Sequence, residues 1–179
     1  MMRTLGPGSV SSFLKVILDV FYFALVVAAA GMALAIIVVL LVSFRPELLT
    51  HNIIDLGDLH LQGPWIGPAL AGLLLGLELY IGGAIVIVGR LRRIFQTLIA
   101  GDPFHPANVR RLRVIGSTLA LLEVGRYAAS TIDHLIFHGH ANIGGGVNLT
   151  TWFAVLVIVV LAEVFREGAR LRGEAELTI

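Results

Sequence analysis

The chain contains no cysteine, which excludes disulfide bonds, thiolate metal ligands and cysteine nucleophiles. Charged residues are also scarce, because they make up 14% of the sequence, whereas soluble domains carry about 25%. Neither a GxSxG nor an HExxH motif occurs, and no nucleophile–base pair or metal constellation stands at a credible spacing. We therefore expect no catalytic residue, no metal and no cofactor, and we predict that the chain is not an enzyme.

Apolar sequence is what the chain has in excess, because 57% of its 179 residues are hydrophobic. Four segments are long enough, or nearly so, to cross a bilayer as helices, which takes about 20 residues. They are 20–44, 66–88, 114–137 and 149–165. The first is too long for the core of a signal peptide, so we interpret it as uncleaved. The pattern predicts an all-α fold in which residues 1–179 form a single membrane domain, a four-helix transmembrane bundle.

The distribution of basic residues predicts how the four spans are oriented. Residues 89–113 hold six arginines and a single acid, whereas residues 45–65 hold one arginine and three acids. Since lysine and arginine accumulate on the cytoplasmic side, we expect the 89–113 loop and both termini inside the cell. The same arginines could in addition contact lipid headgroups. Direct nucleic-acid binding is disfavoured, because no aromatic residues for base stacking accompany them.

Three ionisable residues lie near the middle of the apolar spans: Glu78 in the second, and Glu123 and Arg126 in the third. At 1.5 Å per residue, Glu123 and Arg126 lie about 14 and 18 Å from the start of the third span, and Glu78 has a similar height. Charges at the bilayer midplane are costly and face the bundle interior in pairs, so we predict an intramembrane charge cluster. We interpret it as a structural clasp that fixes helix register, or alternatively as a proton, ion or small-ligand site.

Small residues on the second span indicate close helix packing. Gly72, Gly76 and Gly83 share one face of that helix, in a small-xxx-small pattern that lets helix backbones approach each other. The face suits packing inside the bundle, and it also suits a homo-oligomer.

Histidines and aspartates collect on the predicted outer side. His134 and His138 are spaced i, i+4 near a helix end, a spacing that can ligate a metal. Because no HExxH pattern is present, we favour an interfacial polar belt and leave external metal binding open.

The predicted cytoplasmic side carries the most specific patterns. The second helix should continue past the membrane until Gly101 ends it, and Pro106 should start the helix that becomes the third span. We therefore predict a cytoplasmic helical hairpin over 89–113 with Phe104 at its tip, followed after the fourth span by a cytoplasmic tail over 166–179.

Residues Ile94 to Gly116 match the pattern IFxxLxxGxPFxxxNxxRLRxIG, which resembles the signature loop of a bacterial membrane family called domain of unknown function 2975. The ending VFREGARLRGEAELTI is similar to the characteristic tail of that family. The resemblance implies a four-span inner-membrane protein with no established activity, whose relatives are often encoded beside a small helix-turn-helix regulator. Two departures are His105, where relatives often carry a serine able to cap the helix, and Gly173, where a charged residue is more usual.

The specific motifs lie on the predicted inner face, so we expect a membrane anchor or sensor that docks a cytoplasmic protein. The regulator suggested by the resemblance is the candidate partner. The docking candidates are Phe104, Arg110, Arg111, Arg113, Glu167 and Arg170. An apolar anchor ringed by charges is typical of a modest protein interface, although Phe104 could instead pack on the tail helix. The alternative function is a small proton- or ion-coupled transporter or channel that uses the intramembrane cluster.

Overall fold

Four helices account for nearly all of the described chain, which in this computed structural model comprises residues 10–43, 54–56, 59–61, 66–136 and 146–176. The helices are α1 (Val10–Ser43), α2 (Ile66–Ile99), α3 (Pro106–Ile136) and α4 (Leu149–Glu176). The predicted all-α class is therefore confirmed. Each of the four predicted apolar segments lies within a different helix, except that the first and the third extend one residue past the end of the helix.

Three of the helices are long and apolar enough to cross a membrane, over Phe13–Ser43, Leu70–Ile99 and Leu149–Ala175. Helices α1 and α2 have 34 residues each, which corresponds to about 50 Å, whereas a hydrocarbon core is about 30 Å thick. Large apolar side chains cover their surfaces, among them Phe23 and Leu79, which are 70% and 71% exposed. Surfaces this apolar indicate a membrane protein.

Helix α3 is less apolar than the other three. Its 31 residues include Glu123, Arg126 and Asp133 within the predicted span. On insertion scales each such charge costs about 2.5 to 3.5 kcal/mol at the centre of a membrane helix. A membrane span in α3, the predicted third span, therefore stays a prediction.

A glycine ends α2 in the way that the sequence predicts. Gly101 has a φ angle of +80°, a left-handed conformation that side chains rarely adopt. Its N–H donates to the carbonyl oxygen of Leu98 at 3.1 Å, and the N–H of Asp102 donates to that of Thr97 at 3.0 Å. These two hydrogen bonds form a Schellman motif, so a residue with a side chain at position 101 would strain the end of the helix.

Side-chain caps begin the next two helices. Helix α3 starts at Pro106, and Nδ1 of His105 accepts the N–H of Ala107 at 3.1 Å. The imidazole thus supplies the cap for which relatives often use serine. Helix α4 is capped by Asn148, whose Oδ1 accepts the N–H of Thr150 at 3.1 Å.

Two short strands, which the sequence analysis did not predict, precede α2. Strand β1 (Ile54–Leu56) pairs antiparallel with strand β2 (Leu59–Leu61), and Leu56 lies opposite Leu59. The sequence IDLGDLHL contains the signal, because apolar and polar residues alternate on both sides of a two-residue Gly-Asp connection. Each strand has only three residues, so the class remains all-α.

The chain divides into two compact units. The first comprises Met1–Leu25, Gly83–Leu121 and Asn148–Ile179, and the second comprises Val26–Gly82 and Leu122–Val147. The buried apolar side chains are Val88, Ile94, Ile115 and Ala162 in the first unit, and Ile36 and Ala71 in the second. The first unit contains the predicted cytoplasmic hairpin and tail, and the second contains the predicted intramembrane charges. The single membrane domain and the four-helix bundle stay predictions.

The glycine face of α2 is open where the structure describes its surroundings. A Cβ atom added at Gly72 or Gly76 would meet nothing within 4 Å. At these two of the three glycines the described residues make no close packing, and self-association through the face stays a prediction.

Candidate functional site

The turn between α2 and α3 encloses a buried side-chain amide. Asn108, in the first turn of α3, has an exposed fraction of 0%. Its Nδ2 donates to Oγ1 of Thr97 at 2.7 Å and to the carbonyl oxygen of Pro103 at 3.0 Å, and its Oδ1 accepts from Nη1 of Arg111 at 2.8 Å. Both amide protons and the amide oxygen are used, as a buried amide requires. We call these four residues the turn network.

Arg111 extends the turn network to the body of α2. Its Nη1 also donates to the carbonyl oxygen of Arg93 at 2.8 Å. Burial lowers the pKa of Arg111, and the charges of Arg93 and Arg90 lower it further. The guanidinium keeps its proton nonetheless, since arginine does not deprotonate in proteins. This predicted docking residue is thus a structural link between two helices, set in a local excess of positive charge.

Phe104 packs against α4. Its ring centroid lies 5.7 Å from that of Phe165, and a Cβ atom at Gly168 would lie 2.5 Å from its Cδ1. Next to this aromatic contact, Asp102 forms an ion pair with Arg172. These contacts, which we call the turn–α4 contact, are the intramolecular packing that the sequence left open for Phe104. They also explain the glycine of the tail motif, because only a residue without a side chain leaves room for the ring.

The other docking candidates differ in whether their charges are paired. On α4, Nη2 of Arg170 lies 2.5 Å from Oε1 of Glu167, and its Nη1 lies 3.7 Å from Oε1 of Glu174. Arg110 and Arg113 are exposed on α3, and no described carboxylate forms an ion pair with either of them. The positive charge available to a partner in this part of the molecule is therefore on α3 and not on α4.

An ion pair that the sequence analysis missed joins α1 to α2. Nε of Arg92 donates to Oδ1 of Asp19 at 2.5 Å, and the same guanidinium lies 4.6 Å from the centroid of the Tyr22 ring. Asp19 is the single acid of α1, and that isolation beside an apolar span was the available signal, since a charge there needs a partner.

In the second unit, Glu123 and Arg126 form an ion pair one turn apart on α3. Nη2 of Arg126 lies 2.7 Å from Oε1 of Glu123, and Nε lies 3.3 Å from Oε2. Glu123 is only 6% exposed. Nη2 of Arg126 also donates to the carbonyl oxygen of Gly146 at 2.8 Å, and the guanidinium lies 4.8 Å from the centroid of the Tyr127 ring. The pair has no net charge and is bidentate, since two guanidinium nitrogens bond the two carboxylate oxygens. Buried charges are best tolerated in this form.

Glu78 stands apart from that pair. In the described part of the chain Glu78 takes part in no ion pair, and its Oε2 is buried without a hydrogen-bond partner. The structure thus brings two of the three predicted cluster residues together and leaves the third carboxyl separate. What the cluster does stays a prediction.

The predicted metal spacing falls largely outside what the structure describes. His138 and the side chain of His134 are not among the described positions. Within the described ranges, no three histidine, aspartate or glutamate side chains converge as metal ligands.

Three of the four helices are long and apolar enough to cross a membrane, and a polar turn holds α2 and α3 together at one end. These features define the chain as an all-α membrane protein. The family model for Protein of unknown function (DUF2975) matches residues 19–179, so the chain belongs to that family, as the signature loop and tail predict. No curated protein and no solved structure matches the chain.

Proposed function

We propose that the protein is a four-span protein of the bacterial inner membrane that anchors a soluble cytoplasmic protein. The observation that carries the proposal is the turn–α4 contact, together with the turn network behind it. Both hold the start of α3 in one position, and with it the exposed Arg110 and Arg113. A surface whose backbone is held in one position before binding loses less entropy when a partner docks. We call Arg110 and Arg113 the basic platform.

In this proposal α3 crosses the membrane as the third of four spans, although it is the least apolar helix. Two of its charges, Glu123 and Arg126, cancel each other within one turn. A pair of this kind avoids most of the cost of burying either charge alone. The six arginines of residues 89–113 then place the turn, and with it both termini, on the cytoplasmic side.

Cysteine labelling tests this topology, because the chain has no native cysteine. Single cysteines replace Gln62, Ala100 and Asn142, and an impermeant thiol reagent is added to intact spheroplasts. We expect labelling at positions 62 and 142 and none at 100 until the membrane is broken. Labelling of position 100 in intact spheroplasts contradicts the topology.

The partner that fits the basic platform has an acidic surface. Arg110 and Arg113 lie three residues apart, on the same side of α3, and their charges are not neutralised by described residues. A small helix-turn-helix regulator keeps its basic surface for DNA, so it would meet the platform through an acidic face elsewhere. In this proposal the membrane protein itself does not touch nucleic acid.

Capture experiments test the docking role. The tagged full chain is purified from native membranes as wild type, as the double variant Arg110→Gln/Arg113→Gln, and as Lys15→Gln, a control that removes one charge from α1. We expect one soluble protein with an acidic surface patch with the wild type and the control, and its loss at moderate salt with the double variant. Equal capture by all three variants contradicts the proposal.

A second candidate, a small proton- or ion-coupled transporter or channel, is favoured by one observation. The buried Oε2 of Glu78 has no hydrogen-bond partner among described residues, and an isolated carboxyl inside a membrane span is typical of ion pathways. Proton flux into liposomes that contain the purified chain tests it. Flux that Glu78→Gln abolishes supports the transporter, and liposomes no leakier than empty ones exclude it.

A further inference from the structure

A cavity of about 320 Å³ lies in the first unit, between α1 and the cytoplasmic half of α2. Tyr22 lines it from α1. From α2 it is lined by the apolar Ile85 and Val86 and, further along the helix, by Arg90, Arg93 and Gln96. No residue of the turn network or of the basic platform lines this cavity, and its one link to the turn network is the hydrogen bond from Arg111 to the backbone carbonyl oxygen of Arg93.

The positive charge in the cavity is only partly compensated. Arg92, which also lines it, is held by Asp19 and by the face of Tyr22. Arg90 and Arg93 form no ion pair with any described carboxylate. Burial lowers the pKa of the neighbouring Arg111, and the positive charges of Arg93 and Arg90 lower it further. The guanidinium groups of Arg90 and Arg93 have no ion-pair partner among the described residues, and both line the cavity with Arg92, which Asp19 holds. Such a group of arginines suits the binding of an anion.

The cavity is apolar at one end and basic at the other. Ile85 and Val86 belong to the predicted apolar segment 66–88, whereas Gln96 lies ten residues after Val86, about 15 Å along the helix. The predicted membrane boundary, at residue 88, falls between the two ends. A free phosphate would use the basic end alone, but a phospholipid would fill both, with its headgroup among the arginines and the start of an acyl chain on Ile85 and Val86.

We propose that this cavity binds the phosphate headgroup of an anionic phospholipid. Arg90 and Arg93 hold the phosphate as paired donors, since the guanidinium fork matches two phosphate oxygens. Gln96 donates to a further headgroup oxygen. Asp19 acts as a positioning residue, because its ion pair keeps Arg92 against Tyr22 and so keeps the cavity open. The inference rests on the membrane location and not on a soluble partner.

Lipid binding by the purified full chain tests the proposal. The chain is held in a neutral detergent and titrated with phosphatidylglycerol or phosphatidylcholine, and bound lipid is counted by native mass spectrometry. We expect phosphatidylglycerol to bind at least tenfold more tightly, and Arg90→Gln/Arg93→Gln to remove that preference, as the loss of two charge-assisted contacts requires. The matched control, Arg110→Gln/Arg113→Gln, removes the same charge outside the cavity and should bind like the wild type.

Three results would overturn the proposal: equal binding of the two lipids, equal weakening by both double variants, or displacement of the lipid by millimolar inorganic phosphate. The last would assign the site to a free phosphate. If Arg90→Gln/Arg93→Gln does not fold, Gln96→Glu serves instead, because it adds a negative charge at an exposed position and should weaken phosphatidylglycerol binding about tenfold. A variant that loses the lipid and still captures the soluble partner separates this inference from the anchor function.

Discussion

Replacing Asn108 by alanine perturbs the α2–α3 turn at its most buried point. The change removes three hydrogen bonds at a position with no exposed surface. At roughly 0.5 to 1.5 kcal/mol for each bond, the loss is about 3 kcal/mol. This loss of stability is smaller than it would be if every partner of Asn108 were left without a hydrogen bond. Oγ1 of Thr97 still donates to the carbonyl oxygen of Ile94 at 2.7 Å, and Nη1 of Arg111 still donates to that of Arg93.

Two further variants separate hydrogen bonding from side-chain volume. Asn108→Asp keeps the volume and the contact with Arg111, but it places an acceptor against the carbonyl oxygen of Pro103, where Nδ2 now donates. We expect it to destabilise the turn by about 1 to 3 kcal/mol despite its similar shape. Arg110→Ala, on the same turn of α3 and exposed to solvent, should change the stability by less than about 0.5 kcal/mol.

Hydrogen exchange measures this turn directly, since amide exchange reports the free energy of local opening. The purified chain in detergent is exchanged into deuterated buffer, and the peptide covering residues 97–113 is followed by mass spectrometry. A loss of 3 kcal/mol corresponds to exchange about a hundredfold faster for Asn108→Ala. Exchange within twofold of the wild type would show that the turn does not depend on the amide, and would refute the account of the turn network.

Two other predictions concern α4 and the charged pair of α3. Gly168→Ala should destabilise the turn–α4 contact by about 1 to 2 kcal/mol, because the added Cβ atom meets the ring of Phe104 and the overpacking exceeds the gain in helix propensity. The control is Gly173→Ala, whose added Cβ atom meets nothing within 4 Å. It should leave the amide exchange rates unchanged or make them slower. Arg126→Leu should lower the denaturation midpoint in SDS, because it leaves the carboxylate of Glu123 buried without its partner. Adding Glu123→Gln should recover most of that loss. A double variant no more stable than the single one would show that the two charges are not coupled.

The signature pattern of the loop is accounted for by packing and hydrogen bonding within the chain. Gly101 takes the left-handed conformation that ends α2, Asn108 and Arg111 form the turn network, and Ile94 and Ile115 are buried. Residues of such a motif maintain the shape of the turn. The basic platform combines Arg113, which is a motif residue, with Arg110, which the motif does not specify, so the shape of the turn accounts for part of the motif and leaves the exposed Arg113 for the proposed docking role.

The sequence by itself determined that there are four helices, where α2 ends and where α3 begins. Apolar length predicted each long helix, and Gly101 and Pro106 predicted where α2 stops and α3 starts, because these signals act through the backbone of a few adjacent residues. The Gly-Asp connection in IDLGDLHL is another local signal, and it indicates the two small strands.

Tertiary structure alone decided which side chains meet. Arg126 had two candidate carboxylates by height, and the structure pairs it with Glu123. Phe104 was open to a partner or to the tail, and its ring lies on Gly168. The ion pair of Arg92 joins residues 73 positions apart. The pair of Arg126 with Glu123 lies within one helix, but the other two contacts depend on how helices are rotated and shifted against one another. A rotation of one residue, about 100°, turns a facing side chain away. Periodicity along one helix defines its faces, but only packing between helices defines which face meets which.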